Sequence, residues 1–415
     1  MNTLAFSRRR LLGLGALALA GASGATLLFG SPAHADSKPP SAKKTLVCLF
    51  MRGGVDGLSL IVPHADAAYY RERPSIAIPP PGKSDGALDL DGRFGLHPRL
   101  APLRALYQAG ELAVVHAVGS PHATRSHFDA QDYMESGTPG QSSTRDGWLG
   151  RCLALRGHAE TTPFAAVAFG QHVPRALYGR AGVLGLRDLQ RFDLRAPPRI
   201  RDRMQGALEA MYAGGDDPLS RRSRDALSAV RTVRALDVRR YQPENGAAYP
   251  QAGRTLLEIA ALIKANVGLQ VAFADVGGWD THTGQNGRLG HAFEQLGRAL
   301  LAFRQDLGDR IEDVVLLTMS EFGRTVRENG SGGTDHGHGT AMLVMGGSVR
   351  GGRVYGNFPG LEPEQRFEGR DLAVTTDFRD LFAELADKAL GVSELERVFP
   401  GYAPSPARFP GTLAG

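Results

Sequence analysis

Cysteine is almost absent: Cys48 and Cys152 are the only two in 415 residues. That excludes a small disulfide-stapled fold, a thiolate metal site and, at this spacing, a cysteine nucleophile. One disulfide stays open for an oxidising compartment. Cys48, however, lies mid-strand in Leu46-Val47-Cys48-Leu49-Phe50, the place of a small buried hydrophobe. Charge of one sign is also missing. The chain carries +5, but residues 1–35 hold three arginines and no acid, so the remainder carries +2. Such a balance gives no support to a nucleic-acid partner. The apolar run from Leu11 to Phe29 is too short and too poorly flanked for a stable membrane span. No internal repeat is visible.

What is present reads as a globular protein, 42% hydrophobic and 22% charged, with length for a large core. The 53 glycines are scattered, which fits many tight strand-to-loop transitions. Ser7-Arg8-Arg9-Arg10-Leu11-Leu12 precedes the apolar run, and Ala33-His34-Ala35 offers a cleavage site. Residues 1–35 are therefore expected to be a twin-arginine signal peptide, placing the protein in the periplasm or outside the cell. Residues 36–44 read as a Lys/Pro/Ser linker, and residues 45–415 as a single domain.

Apolar runs at 45–50, 112–118, 269–274, 313–319 and 341–345 read as buried strands. Helical stripes fall between them, at 98–108, 126–134 and 377–390. Leu289, Phe293, Leu296, Leu300, Phe303 and Leu307 form a strongly amphipathic stripe. This alternation predicts an α/β fold with a mostly parallel central sheet and helices on both faces. Residues 155–250 differ. Their Arg-rich segments, 199–213 and 219–241, predict a helical insertion with a solvated, salt-bridged face.

In open α/β sheets function gathers beyond the carboxyl ends of strands. Five acid or imidazole clusters lie there. Asp56 follows the first strand. Ser126, His127 and Asp129 follow the second, and Asp280 and His282 the third. Glu321 follows the fourth, and Asp335, His336 and His338 precede the fifth. Carboxylate with imidazole is a ligand mix for Zn, Mn or Fe. Adjacent Asp335 and His336 can serve one ion only in a kinked loop, which Gly332, Gly333, Gly337 and Gly339 permit. Ser126 has two readings: a nucleophile at a helix start, or the cap of that helix. His127 is a candidate ligand or acid/base. Arg52, Arg125 and Arg324 are candidates to hold an anion.

These motifs together resemble the domain-of-unknown-function-1501 family, in the alkaline phosphatase/sulfatase-like superfamily. The resemblance rests on Arg52-Gly53-Gly54-Val55-Asp56-Gly57, Ser126-His127-Phe128, Ala130-Gln131, Gly278-Trp279-Asp280-Thr281-His282, Ser320-Glu321-Phe322-Gly323-Arg324-Thr325 and Thr334-Asp335-His336-Gly337. It implies an alkaline-phosphatase-like core and one or two divalent ions (Zn, Mn, Fe or Ca). Asp56 would be the first-strand ligand, Ser126 the nucleophile, and Asp280 and His282 ligands of the other ion. Two departures stand out. The superfamily's Asp-x-x-x-His is here Asp280-x-His282. Its Asp-His pair after the fourth strand is here Glu321-Phe322. The function implied is an exported metal-dependent hydrolase of small phosphate or sulfate esters. The alternative is a non-catalytic exported binding or assembly protein that kept the fold, with one structural ion. The resemblance also implies an exported partner protein encoded nearby.

Overall fold

In the computed structural model of the chain, residues 26–27, 44–156, 162–179 and 182–414 are described. The expected signal peptide and linker lie outside them, apart from residues 26, 27 and 44.

Seven strands of three residues or more form the body of a ten-stranded central sheet: β1 (Thr45–Met51), β2 (Leu112–Gly119), β3 (Ala166–Phe169), β4 (Leu184–Leu186), β5 (Val271–Val276), β6 (Val314–Met319) and β7 (Thr340–Met345). Their spatial order is β4-β3-β5-β1-β6-β7-β2. All pairings from β4 to β6 are parallel, while β7 runs antiparallel to both β6 and β2. The mostly parallel sheet expected from sequence is therefore present, with β7 as the exception. The reversal matters for the site. It puts the start of β7 at the same edge as the ends of β1, β5, β6 and β2.

Period-two alternation distributes each strand between two cores. Val47, Leu49 and Met51 of β1 enter one core, and Leu46, Cys48 and Phe50 the other. On the first side lie α1 (Ala101–Gln108), α6 (Arg254–Lys264) and α7 (Gln285–Leu307). The stripe of α7 is buried as expected, from Leu289 to Leu307. On the second side lie α3 (Trp148–Leu155) and α8 (Phe378–Lys388), where Trp148 stacks on Phe382 at 4.7 Å. Each such buried aromatic or aliphatic chain contributes roughly 1.5–3 kcal/mol. Cys48 and Cys152 are free and buried, both in the second core.

The segment expected as a helical insertion begins with β3 and β4, which extend the sheet by two strands. Only then come the paired helices α4 (Pro198–Tyr212) and α5 (Pro218–Leu236). Their arginines meet acids across the pair, as Arg234 does with Asp193 and Asp202. At the site edge, α2 (His127–Ser136) starts directly after the loop that leaves β2.

The loops after β6 and before β7 are sewn together by backbone. Gly323 N–H donates to His338 O at 2.9 Å, and Gly337 N–H donates to Gly323 O at 2.9 Å. A Cβ on Gly323 would stand 1.8 Å from the Gly339 carbonyl oxygen. Gly323→Ala should therefore destabilise the fold by about 1–3 kcal/mol, as overpacking does. Thermal unfolding of the variant against the parent chain checks this, and an unchanged midpoint refutes it.

Candidate metal centre

Trp279 anchors the Gly278-Trp279-Asp280-Thr281-His282 loop. Its ring is buried against Phe293 at 5.5 Å, and its indole N–H donates to Val276 O at 2.8 Å. With the Trp turned inward, Asp280 and His282 are left at the sheet edge. Gly53, at φ 120°, lets the loop after β1 pass beneath them. A Cβ there would lie 2.7 Å from the Asp280 backbone N.

Three imidazoles and one carboxylate converge at this edge. His336 Nε2 lies 3.0 Å from His127 Nε2, 3.0 Å from His282 Nε2 and 3.3 Å from Asp280 Oδ1. His282 Nε2 is 3.0 Å from Asp280 Oδ1, and His127 Nε2 is 3.6 Å from Asp280 Oδ2. The other ring nitrogens settle the proton positions. His127 Nδ1 meets Glu321 Oε1 at 2.8 Å, His282 Nδ1 meets Asp335 Oδ1 at 3.2 Å, and His336 Nδ1 meets the Arg125 carbonyl at 2.9 Å. Carboxylate and carbonyl oxygens accept only, so each Nδ1 carries the hydrogen. In the neutral rings the His336 Nε2 lone pair then faces those of His127 and His282, which is repulsive without a cation or shared proton between them.

A metal fits this donor set. Ligand nitrogens about 2.0–2.1 Å from a tetrahedral ion stand roughly 3.3 Å apart, close to the separations here. Imidazoles held through Nδ1 by carboxylate or carbonyl are the usual surroundings of metal-bound histidine. The electrostatics agree. The hydrogen bond to Glu321 pushes the His127 imidazole up, while burial pushes that of His336 down. Burial raises the Asp280 carboxyl, but Arg324, bonded to Oδ1 at 2.5 Å, outweighs it and holds the group below its ordinary value.

The other expected site residues fall elsewhere. Asp335 braces His282 and takes Asn329 Nδ2 at 3.2 Å, one step behind the cluster. Glu321 is buried, and its Oε1 also accepts Gly53 N–H at 2.9 Å and Gln131 Nε2 at 2.8 Å. His338 is buried and stacked on Phe367 at 4.2 Å, outside the cluster. Phe322 packs its ring on His127 and His336, at 4.8 and 5.0 Å. Ser126 caps α2, its Oγ accepting Asp129 N–H at 3.4 Å. The three candidate anion-binding arginines all have partners. Arg52 binds Glu135, Asp275 and Gln131. Arg125 binds Asp371 and Glu368. Arg324 is fully buried and donates to the carbonyls of Gly53 and Gly54.

Asp56 does not face the cluster. Both its oxygens take the Arg73 guanidinium, at 2.6 and 3.0 Å, and Oδ2 also takes Ser59 Oγ and Gln285 Nε2. Sequence reasoning missed Arg73 and Gln285 because neither sits in a motif. Burial pushes the Asp56 carboxyl up, but Arg73 and Ser59 together outweigh this and hold it below its ordinary value. The stability it contributes is thus present above the unfolded carboxylate range, near about pH 4, and is lost as pH falls below it. Asp56→Asn should cost about 3–5 kcal/mol, the penalty of leaving a buried charge unpaired. Denaturant unfolding measures the loss, and metal content per folded molecule should not change. A variant with full stability, or one stripped of metal, contradicts this assignment.

No curated relative matches the chain in sequence. Among solved structures, it is similar to the C-terminal periplasmic domain of EptC from Escherichia coli, at 10% identity and TM-score 0.40 over 91% of this chain and 92% of that one. It is also similar to the lipoteichoic acid synthase LtaP from Listeria monocytogenes, at 10% identity and TM-score 0.32 over 71% and 60%. Alkaline phosphatase from the Antarctic bacterium TAB5 matches at 11% identity and TM-score 0.31 over 74% and 92%. A family model, "Protein of unknown function (DUF1501)", matches residues 113–399, so the chain belongs to the domain-of-unknown-function-1501 family.

Proposed function

We propose that this protein is an exported, metal-dependent hydrolase of phosphate or sulfate esters with a single ion. One observation carries the reading: three imidazole Nε2 atoms and the Asp280 carboxylate converge, each ring held from behind through Nδ1. Zn, Mn or Fe suits such a set, whereas Ca prefers an all-oxygen shell. A bound ion of this kind would supply Lewis acidity toward an ester oxygen. The two carboxylates expected for a second ion are engaged: Asp56 is closed by Arg73, and Glu321 is held by His127, Gln131 and Gly53.

The residues themselves do three things in this reading. Glu321, Asp335 and the Arg125 carbonyl fix the ring orientations, so that little reorganisation accompanies binding. Buried Arg324 keeps Asp280 ionised and in place. Ser126 holds the first turn of α2, on which His127 sits, and water is the attacking group. The Arg8-Arg9-Arg10 segment and the apolar run after it support export. Among the described residues no helix is long and apolar enough to cross a membrane.

A second reading is a metal-binding protein without turnover. It is favoured by the full engagement of Arg52, Arg125 and Arg324, which leaves none of these cations free for an ester anion.

Two experiments separate these readings. Elemental analysis of protein exported in folded form should find close to one equivalent of Zn, Mn or Fe, and His336→Ala should lose most of it. A metal-free wild-type protein contradicts both readings. With metal present, turnover of 4-nitrophenyl phosphate or sulfate should survive Ser126→Ala within about threefold, with stability lower by about 1 kcal/mol from the lost cap. Loss of turnover in that variant would make Ser126 the nucleophile. No turnover in the metal-loaded wild type favours the binding protein.

A further inference from the structure

The cluster does not stand alone at the sheet edge. Beside it opens a cavity of about 680 Å³, between α2 and the carboxyl ends of β3, β4 and β5. Two residues join it to the cluster. Phe128, on its wall, directly follows His127. Gln131, also on its wall, donates to the Glu321 oxygen that holds His127.

The polar groups of the wall divide into engaged and free. Arg52 bridges Glu135 and Asp275, so these acids are compensated from within. Asp132 takes Arg175 Nη1. Beside the neutral Gln171, His172 and Thr255, two cationic donors are left over. Arg175 Nε is buried with no hydrogen-bond partner. Arg187 is exposed on the wall and pairs with no acid among the described residues. The apolar side is equally open. The Phe128 ring is 90% exposed, the most exposed large hydrophobic residue described, and Phe169 and Val173 line the wall with it. A buried unpaired donor, a free guanidinium and an uncovered ring ask for one kind of partner: an anion with a flat apolar body.

We propose that this cavity binds an aromatic organic anion, its charge on Arg187 and Arg175 and its ring against Phe128. In the hydrolase reading, on which this role rests, the bound group is the part of the ester substrate that does not react. A second negative group on the substrate would then be recognised by Arg187 while the ester lies at the cluster.

The test is calorimetric titration of chelator-treated protein with benzenesulfonate, a poor metal ligand. Wild type should bind it at least tenfold more tightly than methanesulfonate, which has the charge without the ring. Arg187→Glu should weaken benzenesulfonate binding tenfold or more, and Phe128→Ala severalfold. Both residues are exposed, so neither change threatens folding. His282→Ala, which alters the cluster alone, should bind within twofold of wild type. Absence of binding, equal binding by Arg187→Glu, or loss of binding in His282→Ala overturns the proposal. Because the titration uses metal-free protein, a failure of the hydrolase reading does not disturb it.

Discussion

One buried ion pair holds the site loops in register. Asp56 and Arg73 have no exposed side-chain surface, and each reaches further than its partner. Arg73 donates to the carbonyls of Thr325 and Val326, in the loop after β6. Asp56 accepts Gln285 Nε2, at the start of α7. The Gln285 carbonyl oxygen then accepts the hydroxyls of Thr281 and Thr334, which flank the loops carrying Asp280, His282, Asp335 and His336. A charge pair at zero exposure tolerates little displacement, because any gap leaves an uncompensated charge in a low-dielectric interior. The histidine–aspartate cluster above it inherits that rigidity.

The chemistry of the edge follows from how the histidines are held rather than from how many there are. Each ring of the cluster has an oxygen acceptor behind it, and none of the three acceptors is another histidine. Glu321 is central to this arrangement. Its Oε1 faces His127 Nδ1 and also accepts Gly53 N–H and Gln131 Nε2. Phe322, next to it, packs its ring against both His127 and His336. Of the candidate ligand carboxylates, Glu321 and Asp335 are hydrogen-bond acceptors behind the rings and Asp56 is an ion-pair partner, while Asp280 stays in the cluster.

Much of this was legible in the chain. Periodicity marked the strands and the long stripe of α7, because burial on both faces of a sheet demands continuous apolar runs and burial on one face of a helix demands a 3.6-residue repeat. The segment at 155–250 was misread in part, since β3 and β4 are only four and three residues long. Runs that short carry no periodic signal. The strand expected at 269–274 lies at Val271–Val276, so that Asp275 closes the strand and meets Arg52. An ion pair across 223 residues has no local signature.

The sequence by itself determined an α/β sheet, the edge at which function gathers, and Asp280, His282 and His336 as members of one cluster. Those follow from local pattern, since side chains at strand ends must project at the sheet edge. Only the tertiary structure decided that His127 joins them, that Asp335 and Glu321 stand behind them, and that Asp56 belongs to Arg73. Each of these depends on which of several chemically equivalent partners lies within about 3 Å. That choice is made by packing between segments hundreds of residues apart.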